Sequence, residues 1–127
     1  MTLNELRDKA YKIAEDHGFH EDWDFGRALR QTVCELAFAM ESDRKGDWAI
    51  NRTTHAENNP VFWSIKPELF GKDYYEEYVK GTVEEEIADA VIRLLDLAGA
   101  CGIDLDWHVK AKMAYNEKRE HRHGKKY

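Results

Sequence analysis

The chain has 127 residues, of which 43% are hydrophobic and 12% aromatic, and its formal net charge is -6. That length suits one compact domain with enough apolar material for a core, so a single domain over 1–127 is expected. No run approaches the length of an uncharged membrane span, and MTLNELRDKA has neither the basic nor the apolar segment of a secretory signal. These features predict a soluble, cytoplasmic protein with no membrane partner.

Charge is unevenly spread. Residues 110–127 hold seven Lys or Arg against two Glu, whereas the remainder holds twelve basic and twenty-three acidic side chains. An acidic body with a short basic tail lacks the extended positive face that duplex nucleic acid requires. It suits a small polyanion held by metal ions and a few cations. Cys34 and Cys101 are far apart and lie in apolar helical patterns, so both are expected as buried free thiols.

Helical signals follow in chain order. Thr2 and Glu5 have capping-box spacing, and Leu3, Leu6, Ala10, Ile13 and Ala14 recur on one face, predicting a first helix that stops at Gly18. Leu29, Val33, Leu36 and Met40 define a second helix ending near Gly46. A third begins at Thr82, with Glu85 completing a capping box, and carries Ile87, Val91, Leu94, Leu95 and Ala98 before Gly102. The fourth opens around Asp104 and uses Leu105, His108, Val109, Lys112 and Met113. Four helical segments with little β alternation predict an all-α, four-helix-bundle-like fold. Between the second and third helices lies a long, aromatic-rich connection from Asp47 to Gly81, with a short helix expected within residues 73–80.

On a helix, residues i and i+3 lie about 60° apart and can converge on one ion. Glu86 and Asp89 have that spacing beside the apolar stripe of the third helix. Glu35 borders the stripe of the second, among Ala28, Thr32 and Ala39. If those helices pack face to face, the three carboxylates meet in an acidic pocket for a hard cation such as Mg²⁺, with Mn²⁺ as a substitute. Taken alone, Glu-x-x-Asp also fits an ordinary solvated helix face. The neighbouring tail adds His108, Lys112, Tyr115 and Arg119 at steps of four, three and four, flanked by Asn116 and followed by Arg122, His123 and Lys125. Such a stripe can hold a triphosphate beside a metal, or can be the basic end of a solvated helix.

The segments ELAFAMESDRKGD, EEEIADAVIRLLDLAGACGIDLD and KMAYNEKREHRHGKK resemble the MazG-like, all-α nucleoside triphosphate pyrophosphohydrolases. The likeness covers roughly residues 27–47 and 82–125. It implies a bundle assembled as a homodimer or homotetramer that uses Mg²⁺ to hydrolyse a nucleoside triphosphate between the α and β phosphates. Glu35 matches the first Glu of the family's Glu-x-x-Glu, and Glu86 and Asp89 match its Glu-x-x-Asp. The second carboxylate position is Phe38. Glu41, six residues beyond Glu35 and about 120° around the helix, does not replace it. By the same resemblance Lys112 and Arg119 offset charge on pyrophosphate, Tyr115 and Asn116 orient phosphate or sugar, and His123 and Lys125 complete the substrate-binding tail. Trp48, His55 and Trp63 are candidate surfaces for stacking the base. Because of Phe38, a non-catalytic nucleotide-binding module and a helical interaction protein stand as alternatives.

Overall fold

The computed structural model describes residues 1–53 and 65–126, apart from the side chains of Thr53 and His123. Among them all regular structure is helical. The helices are α1 (Leu3–Asp16), α2 (Phe25–Arg44), α3 (Ala49–Thr53), α4 (Lys72–Tyr78), α5 (Val83–Cys101) and α6 (Leu105–Glu117). Single 3₁₀ turns occur at Pro67–Leu69 and His121–Gly124. The expected short helix in the long connection is α4. The described residues form two compact units, one of residues 1–23 with 94–127 and one of residues 24–93. Helix α5 contributes its first half to the second unit and its last half to the first.

Capping chemistry sets most of the ends. Thr2 Oγ1 accepts the Glu5 N–H, Asp24 accepts that of Arg27, and Asp104 accepts that of Trp107. Each supplies an oxygen to a backbone donor that the helix leaves unpaired. Thr82 Oγ1 accepts the Glu85 N–H, but the Glu85 carboxylate turns back to the Gly81 N–H. At the far end of α5, Gly102 takes a left-handed φ of 66°, the conformation that closes a helix with least cost for glycine.

In the unit formed by the chain termini, α1 lies close against the last turns of α5. A Cβ on Gly99 would sit 2.9 Å from Tyr11 Cβ, so the approach depends on the missing side chain. His20 Nε2 pairs with Asp96 Oδ1 at 2.8 Å, and the His20 ring packs on Tyr11. The starts of α1 and α6 meet through Asn4, Asp104 and Asp106.

In the central unit, the buried face of α2 consists of Thr32, Glu35, Ala39 and Ser42. These residues recur at steps of three, four and three, the helical repeat of one face. Thr32, Ala39 and Ser42 are small enough to allow close packing, and the hydroxyls are satisfied: Thr32 Oγ1 donates to Ala28 O and Ser42 Oγ to Gly81 O. The apolar stripe expected to make this core is instead exposed, with Leu29, Val33, Leu36 and Met40 each at 40% or more. On α5, Leu95 and Ala98 are buried as expected, whereas Ile87, Val91 and Leu94 are about half exposed. Cys34 and Cys101 are also exposed, contrary to expectation. Cys34 follows Val33 on the outer side of α2, and Cys101 ends α5 where the chain turns away.

Candidate metal centre

The buried face of α2 places Glu35 opposite the first turns of α5. The Ser42–Gly81 bond fixes the end of α2 beside the start of α5, and Thr82, with no solvent exposure, anchors that start. One turn into α5, Glu86 and Asp89 project from adjacent positions of the same face. Carboxylate oxygens of Glu35, Glu86 and Asp89 all lie within 4.8 Å of one another. Glu35 is only 7% exposed and the other two are half-buried.

Three carboxylates this close repel one another. Glu86 is pushed up to about 7 by burial, by its hydrogen bond to Glu35, and by the charges of Glu35, Asp89 and Glu85. Asp89 is also raised, by burial and then by Glu35 and Glu85, with Arg93 opposing. Near neutrality Glu86 is therefore only partly ionised, and a cation at the cluster would favour its ionised form. The donor set is all oxygen, which suits Mg²⁺ or Mn²⁺. Ligand oxygens about 2.1 Å from an octahedral ion are separated by roughly 3–4 Å, a spacing that small rotations of these side chains can reach.

Two neighbours complete the centre. Arg93, one turn beyond Asp89, donates from Nε to Glu35 Oε1 at 2.7 Å and from Nη1 to Gln31 Oε1 at 3.3 Å. Tyr75 on α4 donates its hydroxyl to Glu85 Oε2 at 2.5 Å, while Glu85 Oε1 accepts the Gly81 N–H. Burial raises the Tyr75 pKa, and the Glu85 hydrogen bond with the charges of Glu85, Asp89 and Glu86 raises it further. The phenol is thus a donor at the margin of the cluster. Neither residue stands out in the linear pattern. The available signal for Arg93 was its position four after Asp89 and seven after Glu86, which returns it to the same helix face.

Other expected site residues lie elsewhere. Phe38 is 54% exposed, one turn along α2 from Glu35. Glu41 is exposed and pairs with Arg44 at 3.6 Å and Lys45 at 4.0 Å, so it is a solvated carboxylate rather than a fourth member. Half-buried Trp48 donates its indole N–H to Asp43 Oδ1 at 3.0 Å. Trp63, His55 and the His123 side chain lie outside the described residues.

The basic tail belongs to the unit of the chain termini. Lys112 Nζ is 4.8 Å and Arg119 Cζ 5.3 Å from the Tyr115 ring centre, so two cations gather on one aromatic face or its edges. Helix α6 ends at Glu117, and Arg119 reaches Tyr115 from the turn beyond. His108 packs edge-on against Trp107, and His108, Lys112 and Tyr115 all lie on α6. Asn116 is half-buried, its Oδ1 without a hydrogen-bond partner among the described residues, and Lys125 is exposed. No described helix is long and apolar enough to cross a membrane. Comparison of the chain with known family models, curated proteins and solved structures finds no match.

Proposed function

We propose that the protein is a Mg²⁺-dependent nucleoside triphosphate pyrophosphohydrolase of MazG type, cleaving an NTP or dNTP to nucleoside monophosphate and pyrophosphate. The observation that carries the reading is the meeting of Glu35 from α2 with Glu86 and Asp89 from α5. An all-oxygen, partly buried, mutually repelling trio is the chemistry of a hard-cation site. Mg²⁺ at this site would polarise phosphoryl oxygens and lower the barrier to attack at phosphorus.

The chain's own residues supply the rest. Glu35, Glu86 and Asp89 would hold the ion, and a carboxylate of this cluster would accept a proton from the attacking water. That water forms a new bond to the α-phosphorus as the bond to the bridging oxygen breaks. Pyrophosphate leaves with the electron pair. The roles proposed from the resemblance are for Lys112 and Arg119 to offset the charge on pyrophosphate and for Tyr115, Asn116, His123 and Lys125 to contact phosphate or sugar. Trp48 and Trp63 are the surfaces proposed for the base.

The proposal includes assembly as a homodimer or homotetramer. Support comes from the outer face of α2, where Leu29, Val33, Leu36 and Met40 form an apolar stripe exposed to solvent. One observation favours a second reading, a nucleotide-binding module without turnover: Phe38 stands where the resemblance places a carboxylate. Product analysis by ³¹P NMR, over canonical and modified nucleotides with Mg²⁺, separates the two. Monophosphate and pyrophosphate support the hydrolase. Diphosphate and orthophosphate would refute cleavage at the α–β bond, and binding without products would leave the module.

A further inference from the structure

We propose that Arg93 is a resident counter-cation of the carboxylate cluster, stabilising it when empty and weakening its hold on a divalent ion. This rests on the reading of Glu35, Glu86 and Asp89 as a metal site. Among the described residues, Arg93 is a cation bonded directly to the cluster, through Nε to Glu35 Oε1 at 2.7 Å. Gln31, one turn earlier on α2, takes Nη1 and fixes the plane of the guanidinium. Asp89, one turn earlier on α5, also feels its positive charge. Glu85 and Glu86 complete the anionic surroundings.

Two consequences follow from the sign of the charge. In the empty protein a deeply buried Glu35 keeps a partner, whereas removing that partner would leave a buried carboxylate without one. With a divalent ion at the cluster, the same guanidinium is a like charge close to it, and the interaction is repulsive. Three carboxylates and one guanidinium carry a formal charge of -2, so a divalent ion only just neutralises them. The Arg93 side chain is 40% exposed, which leaves the guanidinium free to turn from Glu35 towards solvent or an entering phosphate. The metal then binds best together with an anionic nucleotide, which engages the displaced arginine.

The test uses the full chain without nucleotide and Mn²⁺ as the probe, with free Mn²⁺ followed by electron paramagnetic resonance and thermal unfolding measured with and without the ion. Arg93→Met and Arg93→Gln remove the charge, the latter keeping an amide that can hydrogen-bond Glu35 and so protect the fold. Both are expected to bind Mn²⁺ about tenfold more tightly than the unsubstituted chain, while their melting temperatures without metal fall. Arg93→Lys retains the charge and should keep the original affinity. A merely structural ion pair would lower stability and metal affinity together. If Asp89→Asn loses Mn²⁺ binding but Arg93→Gln binds no more tightly than the unsubstituted chain, the counter-cation is overturned and the metal site stands. If Asp89→Asn and the unsubstituted chain bind Mn²⁺ equally, the metal site itself fails, and this inference with it.

Discussion

Asn4 and Asp106 each cap the helix to which the other belongs. Asp106 accepts the Leu3 and Asn4 N–H groups through its two carboxylate oxygens, and Asn4 Oδ1 accepts those of Leu105 and Asp106. With Thr2 and Asp104 capping the third position of each helix, the first three donors of both are satisfied. Asn4→Ala and Asp106→Ala should each cost about 1–2 kcal/mol in urea unfolding. Because both caps belong to one joint, the double variant should lose less than the sum by at least ~0.5 kcal/mol. Strict additivity would show that the two helix starts are held independently.

Glu86 makes stability depend on pH in a direction opposite to an ordinary paired carboxylate. Its folded pKa of about 7 lies above the ordinary glutamate value of 4.5, so the folded chain keeps a proton that the unfolded chain releases. The stabilisation is fully present below the unfolded pKa and is lost as pH rises through about 7. Glu86→Gln, which cannot ionise, should therefore be more stable than the original chain near pH 8 and lose that advantage near pH 5. Urea midpoints at the two pH values decide this. An advantage of the same size at both would assign the effect to packing.

Phe38 occupies the position of the second carboxylate in the resemblance, yet it is not a core residue. Its 54% exposure predicts that Phe38→Glu folds with little loss of stability. On α2 the new carboxylate would stand about 60° around from Glu35, close enough to add charge to the cluster. Mn²⁺ binding should tighten several-fold, by an amount that calorimetry resolves. Unchanged affinity in a folded variant would place position 38 outside the reach of the ion.

Exposure of Cys34 gives a direct probe of assembly. In a dilute monomer both cysteines should react with a thiol reagent without unfolding. Cys34 directly follows Val33 of the exposed stripe, so assembly through that face of α2 should slow its labelling as protein concentration rises. A Cys34→Ser control leaves Cys101 as the reference. Cys34 labelling independent of concentration, in a preparation shown by sedimentation to be oligomeric, would move the interface to another face.

The ends of the helices were legible because their chemistry is local: Thr2, Thr82, Asp104 and Gly102 act within a few residues of where they stand. The carboxylate trio was legible for a related reason, since Glu86 and Asp89 share a face by spacing and Glu35 lies among small residues that permit approach. What spacing does not carry is the identity of the surface that covers a face. The periodicity of Leu29, Val33, Leu36 and Met40 is real, but Thr32, Glu35, Ala39 and Ser42 take the buried side because they pack closely and satisfy their polar groups. Arg93 was hidden within VIRLL, where it reads as an interruption of an apolar run. Only pairing with Glu35 across two helices reveals its place.

Glu35, Glu86 and Asp89, whose carboxylate oxygens lie within 4.8 Å of one another, are the residues proposed to hold the metal for nucleotide cleavage. The most direct measurement is pyrophosphate release across a nucleotide panel as Mg²⁺ is titrated, beside Asp89→Asn of confirmed folding. Mg²⁺-dependent release by the unsubstituted chain, reduced at least ~100-fold in Asp89→Asn, is the predicted result. Release that is independent of Mg²⁺, or equally fast in the two proteins, would contradict it.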